Sequence, residues 1–276
     1  MLRYRASLGR GSVSVLLLTL ACATAGGRSL PADGELVHLG SEMTVRRIAE
    51  NAFMVTHEPA FSSNVLVVRM TDGTLVLCSS PLDTQATRTM LRWLNEVFTP
   101  RRIVAINPHY HPDGTAGNEA YAEFDVETYA TDLTQRLLAD HGARVRDEAA
   151  GALGDPSLAS RVRRTRITPA THTIDSDKPF TLTFGGEEIL VIYPGRAHSP
   201  DNVVIHFPAR AILFGGCMIK SGRAIGNTLD ADLGSWEAAV RSLEGLGARV
   251  IVPGHGPVGG AELLQNTIEV VRAARQ

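Results

Sequence analysis

Short apolar blocks rich in Val, Ile and Leu, separated by Gly, Pro, Asp and Asn, dominate the pattern along this chain. Residues 35–51 are strand-like in pieces, with Val45 and Ile48 as apolar points. Residues 52–56 and 63–70 read as a strand pair interrupted by 57–62, where Phe61 is the one large apolar side chain. Asp72-Gly73 marks a hairpin turn into a returning strand at 75–78. The period then changes: Met90, Leu91, Leu94 and Phe98 share one stripe of a helix over 85–98. A short strand follows at 102–106, then a helix at 116–123, a strand at 126–130, a long helix at 132–150 and another at 155–161. The back half returns to strands at 180–184, 188–193, 202–207 and 211–214, turned by Gly185-Gly186 and Pro208-Ala209-Arg210. A helix at 233–246, with Asp230 and Asp232 as candidate caps, precedes a last strand at 249–252 and a closing helix at 261–274. Strands, helix, strand, helix, repeated once, predict an α+β fold: two sheets face to face with helices outside, an αββα four-layer sandwich.

The first 25 residues do not fit this pattern. Arg3, Arg5 and Arg10 form a basic start, residues 13–21 an apolar run too short to span a bilayer, and Ala23-Thr24-Ala25 a small-x-small cleavage site. They read as a signal peptide over 1–25 ahead of one domain over 26–276, so a periplasmic location is expected. Cys22, following Leu20-Ala21, offers a second reading, a lipid anchor, although Thr19 stands where an aliphatic residue is usual. Removing the leader takes away three arginines and no acid, moving the net charge from −2 to −5. With 5% aromatic residues and an acidic balance, no nucleic-acid partner is expected. No protein partner is called for either, so a monomer is expected. The four arginines within 161–166 read as a solvated face.

The chemistry gathers at strand ends. Asn107-Pro108-His109-Tyr110-His111-Pro112-Asp113-Gly114-Thr115-Ala116 follows the strand at 102–106, and its HxHxD core brings together three polar side chains that each need a partner if desolvated. A metal ion satisfies all three. His198 after the strand at 189–193, Cys217 after Gly215-Gly216, and His255 in Pro253-Gly254-His255-Gly256 occupy the same kind of position. Four such loops in one chain point to a metal centre. Cys78 and Cys217 could instead form a disulfide in an oxidising compartment, or Cys217 could serve as a thiolate ligand. His38, His57, His141, His172 and His206 match no motif.

These residues resemble the metallo-β-lactamase superfamily from about Val45 to Val271, and within it the subclass B1 zinc β-lactamases. The São Paulo-type branch is most similar, through Ser63-Asn64-Val65-Leu66-Val67-Val68, Ser79-Ser80-Pro81, Asp113-Gly114-Thr115, the long helical segment after Asp132, and Gly215-Gly216-Cys217-Met218-Ile219-Lys220. The resemblance implies two zinc ions, one held by His109, His111 and His198, the other by Asp113, Cys217 and His255. It implies hydrolysis of penicillins, cephalosporins and carbapenems by hydroxide formed on zinc, without a covalent intermediate, and hence antibiotic resistance. Asp113, Lys220 and Asn227 are the implied catalytic residues. Lys220 is expected to pair with the substrate carboxylate and Asn227 to lie near the lactam carbonyl, with Gly-Asn turn formation as its alternative. Phe61 is a candidate apolar wall, or a core residue. Two positions depart from many subclass members: Cys78 replaces an aspartate, and Gly114 an arginine or lysine. A zinc hydrolase of the same fold acting on a thioester or lactone is the alternative, disfavoured by Gly114 and Cys217; a zinc-binding protein without catalysis is a third reading.

Overall fold

The computed structural model describes residues 30–276; the leader read over 1–25, with Cys22, lies outside them. Strands β1 (Leu36–Leu39), β2 (Met43–Ala49), β3 (Ala52–His57), β4 (Ser63–Arg69) and β5 (Leu75–Cys78) form an antiparallel meander. Helix α1 (Thr84–Phe98) crosses over to β6 (Ile103–Ile106), parallel to β5. After α2 (Pro112–Thr115) and α3 (Asn118–Glu123), β7 (Glu127–Thr131) continues in the same sense. Helices α4 (Asp132–Ala152) and α5 (Pro156–Arg164) lead to β8 (His172–Ile174), which completes an eight-stranded sheet in sequence order. The second sheet holds β9 (Phe180–Phe184), β10 (Glu187–Ile192), β11 (Val204–Phe207) and β12 (Ile212–Gly216). Helix α6 (Leu233–Arg241) then returns the chain to β13 (Val250–Pro253), parallel to β12, and α7 (Glu262–Ala274) closes it.

Alternation along the strands sets the layers. In β4 and β5, Val65, Val67, Leu75 and Leu77 face α1, packing on Met90, Leu91 and Leu94. Their neighbours Leu66, Val68 and Val76 face the second sheet, against Ile189, Val191, Ile205 and Phe214. The outer face of that sheet, through Leu213 and Ile251, meets Trp236, Val240 and Ile268 of α6 and α7. Each fully buried side chain of this kind contributes roughly 1.5–3 kcal/mol. Both central sheets therefore need a cover on each face, and four layers result. The expected αββα sandwich is the observed one.

Several local expectations need correction. The helix expected over 116–123 begins only at Asn118, and a separate short helix, α2, lies before it in the stretch read as a loop; in the break the Gly117 N–H donates to Ser80 Oγ at 3.0 Å. The helix expected over 233–246 stops at Arg241; a separate 3₁₀ turn, Glu244–Leu246, ends at Gly247 with φ +67°. Asp232 caps α6 by accepting the Ser235 N–H at 3.1 Å, whereas Asp230 caps nothing and turns toward His111. Strand β8 carried no local signal. The arginine run is not wholly solvated either: α5 extends to Arg164, and half-buried Arg161 donates to Glu42 at 2.6 Å and Asp83 at 3.3 Å. Among the described residues, Cys78 and Cys217 are both free and buried, so the alternative disulfide between them is not formed; Cys78 lies within the core between the sheets.

Asp83 also caps α1, accepting the N–H groups of Gln85 and Ala86 at 2.8 and 3.0 Å, and is almost fully buried. Replacing it by alanine removes the cap and one of the two carboxylates facing Arg161. The expected loss is about 1–2 kcal/mol of unfolding free energy. Urea denaturation of Asp83→Ala checks it; an unchanged midpoint would refute the assignment.

Candidate metal centre

All the expected ligands stand at carboxyl ends of strands. Strand β6 ends at Ile106 and delivers His109 and His111; His111 is the residue before α2, with Pro112 starting the helix, so Asp113 lies in its first turn. His198 follows β10, Cys217 follows β12 after a bulge at Phe214–Gly216, and His255 follows β13. The parallel pairing of β12 with β13 puts Cys217 beside His255, and the stacking of the two sheets puts both opposite α2. Backbone contact is close here: a Cβ on Gly254 would lie 2.5 Å from Cys217 Sγ, and one on Gly114 would lie 2.5 Å from the His109 carbonyl oxygen. The glycine at 114, a departure from many subclass members, is thus what lets α2 pack against His109.

Two groups of donors result. His109, His111 and His198 place one ring nitrogen each within 4.8 Å of one another, and His111 Nδ1 lies 3.1 Å from His198 Nε2. Asp113 Oδ2 lies 2.8 Å from Cys217 Sγ and 3.0 Å from His255 Nε2, with Cys217 Sγ 3.4 Å from that nitrogen. The groups meet at His109 Nε2, 3.4 Å from Asp113 Oδ1. All six side chains are thereby brought together.

The outward nitrogens are partly engaged. His111 Nε2 faces Asp230 Oδ2 at 3.0 Å, and His255 Nδ1 faces the Phe61 carbonyl at 3.0 Å. Each contact favours a proton on the outward nitrogen and leaves the inward lone pair available to a cation. Burial opposes charge on His109, but Asp113 outweighs it and holds the imidazole pKa up; reciprocally, His109 and His255 overcome burial to hold Asp113 far below the carboxylate range. Asp113 is therefore an anion at neutral pH. Burial, then Lys220 and the neighbouring imidazoles, keep His198 neutral, while burial and then Asp113 push the Cys217 thiol up. Ionising that thiol requires a compensating positive charge. His109 Nε2 is buried and has no hydrogen-bond partner within the described residues, though it points into the cluster. Three imidazoles on one side, with a carboxylate, a sulfur and an imidazole on the other, are a donor set suited to zinc.

The cluster floors a cleft of about 800 Å³. Helix α4 supplies one wall through Val145, Ala149 and Ala152, and the 220–229 loop the opposite one. Lys220, Asn227 and Phe61 all line it. Lys220 is half-buried, its Nζ 5.2 Å from the Trp236 ring, and burial lowers its pKa. Asn227 does make the local turn read as its alternative role, its Oδ1 accepting the Leu229 N–H at 3.0 Å, and the residue also lines the cleft. Phe61 is 47% exposed, with φ +59°, which settles it at the rim and not in the core. Asp230 was missed as a site residue because an acid shortly before a helix carries the signal of a cap.

The sequence model of the metallo-beta-lactamase superfamily matches residues 58–255, most of the chain. The chain belongs to that superfamily. A metallo-beta-lactamase type 2 of Bacillus sp. (strain 170) is 29% identical over 217 residues, 77% of this chain and 74% of the relative. The Bacillus cereus type 2 enzyme is 28% identical over 239 residues, 83% of each. The structure of the DIM-1 metallo-beta-lactamase exposed to ceftazidime superposes with TM-score 0.68 at 27% identity, covering 87% of this chain and 99% of that one. FIM-1 from Pseudomonas aeruginosa, in its mono-zinc form, gives TM-score 0.67 at 27% identity over 84% and 96% of the two chains. The subclass resemblance seen in the sequence agrees with these metallo-β-lactamase relatives.

Proposed function

We propose that this member of the superfamily hydrolyses the amide bond of β-lactam rings, with two zinc ions held at the cluster. One observation carries the reading: six donors of the right kinds converge at the floor of a cleft whose wall presents a lysine. His109, His111 and His198 would hold one ion, and Asp113, Cys217 and His255 the other. Zinc, when bound there, supplies Lewis acidity toward the lactam carbonyl and makes water a nucleophile near neutral pH.

The chain's own residues do the rest. Lys220 anchors the substrate carboxylate by a charge-assisted hydrogen bond, aided by partial exclusion of water at its ammonium. Asn227 presents its NH₂ toward the lactam carbonyl while its own carbonyl is tied to the loop. Asp113, an anion that accepts but does not donate, orients the attacking water. Phe61 on the rim covers apolar substituents of the substrate. Hydrolysis adds the elements of water across the amide C–N bond, so carbon gains the hydroxyl and nitrogen the proton. The thioester or lactone alternative calls for a carboxylate where Cys217 stands. The leader pattern read over 1–25 supports export to the periplasm, where such an activity would confer antibiotic resistance.

The test is steady-state hydrolysis of a carbapenem and a cephalosporin by zinc-loaded protein, with and without chelator, alongside zinc stoichiometry. Turnover abolished by chelator and restored by zinc, with two ions per chain, is expected. Turnover of a thioester or lactone alone would overturn the reading.

A further inference from the structure

The second carboxylate oxygen of Asp230 is engaged as well. Arg144, on the long helix α4, donates from Nη2 to Asp230 Oδ1 at 2.9 Å and to the Tyr110 hydroxyl at 3.2 Å, while its Nη1 holds Glu148 at 2.9 Å. Asp230 Oδ2 faces His111 Nε2 at 3.0 Å. Tyr110, between the two HxH histidines, is buried on Leu138 and Val145 of the same helix, its ring 4.6 Å from that of His111. An unbroken chain of contacts therefore runs from His111, through Asp230, to the helix that walls the cleft.

We propose that Arg144 is a positioning residue for the metal centre. A neutral imidazole carries one N–H, and the atom that carries it decides which nitrogen can bind a cation. With Oδ1 held by the guanidinium, Asp230 keeps Oδ2 aimed at Nε2, so the proton resides there and Nδ1 points toward His198. Arg144 reaches His111 through Asp230; its side chain is 41% exposed and Asp230's 17%. Without the guanidinium, Asp230 is released to turn toward solvent and His111 loses its orienting partner. Because the same residue docks α4, seating of that wall and retention of the ion are coupled, and coupling of binding free energies is reciprocal.

This inference rests on the zinc reading of the three-histidine group, and the experiment separates the two. Full-length Arg144→Ala, Arg144→Lys and, as a control on the same helix, Arg136→Ala are compared with the parent. Arg136 bonds to Asp132, away from the site. Zinc affinity is measured by chelator competition, the cobalt-substituted spectrum records ligand geometry, and melting is followed with and without zinc. Loss of a partner that orients a metal-ligating histidine typically weakens metal binding about 10–100-fold. Arg144→Ala is expected to lose at least tenfold in affinity for the first ion, shift the cobalt bands, and lower the melting temperature more in the zinc-loaded form than in the zinc-free form, where only the docking contacts of α4 are lost. Lysine, which keeps the charge but not the fork, restores part of the affinity, and Arg136→Ala matches the parent. Arg144→Ala with parental affinity and cobalt spectrum would overturn the proposal while leaving the zinc reading intact; a parent chain that binds no zinc would overturn both. If Arg144→Ala does not fold, Arg144→Lys decides: parental affinity and cobalt bands in that variant refute the need for the fork.

Discussion

Cys217→Ser is expected to lower kcat/KM for a carbapenem on the order of 100-fold or more at limiting zinc, and to reduce zinc stoichiometry from two toward one. The size follows from what the sulfur touches. It lies 2.8 Å from Asp113 and 3.4 Å from His255, so it closes a set of three donors that share one small volume. Sulfur is large and soft; a serine hydroxyl is shorter, harder and almost never ionised. With serine, Asp113 and His255 remain but lack the thiolate that neutralises a second divalent charge. The three-histidine group should survive, so equilibrium dialysis is expected to find one ion retained. Equal rates and two tightly held ions in the variant would remove Cys217 from the ligand set.

Lys220→Glu is expected to have the next largest effect, and a different one. The ammonium is half-buried beside Trp236, where a charge-assisted hydrogen bond to a carboxylate is worth roughly 1.5–3 kcal/mol. That is about 10–100-fold in binding, and reversing the charge adds repulsion. The loss should fall mainly on KM, since the lysine holds the substrate in ground and transition states alike. Comparing a penicillin with its methyl ester isolates the contact: the parent should prefer the free acid, and Lys220→Glu should lose or invert that preference. Equal losses for acid and ester would instead assign the lysine to the fold of the 220–229 loop.

Much of the site was legible because it is made of local signals. The HxHxD sequence follows an apolar block, and His198, Cys217 and His255 each follow one too; a strand of four to six residues is announced by its own side chains. The layers were legible from the order of strands and helices, and the wholly apolar runs at 65–68 and 75–78 accordingly bury both faces of their sheet. What failed was read one segment at a time. Asp230 resembles a cap because its true partner, His111, lies 119 positions away. Arg161 resembles a solvated charge because Glu42 and Asp83 come to it from β-turn and helix start far along the chain. Strand β8, three residues long, is a strand only because β7 offers it an edge.

The sequence by itself determined most element types, the four-layer order and the six candidate donors, because hydrophobic period and residue chemistry are properties of a segment and its near neighbours. Tertiary structure alone decided that α4 stands as a wall over the cleft, that Gly114 makes room for His109, and that Arg144 and Asp230 reach His111. Those relations join residues brought together only when two sheets stack, and no local pattern encodes the geometry of that meeting.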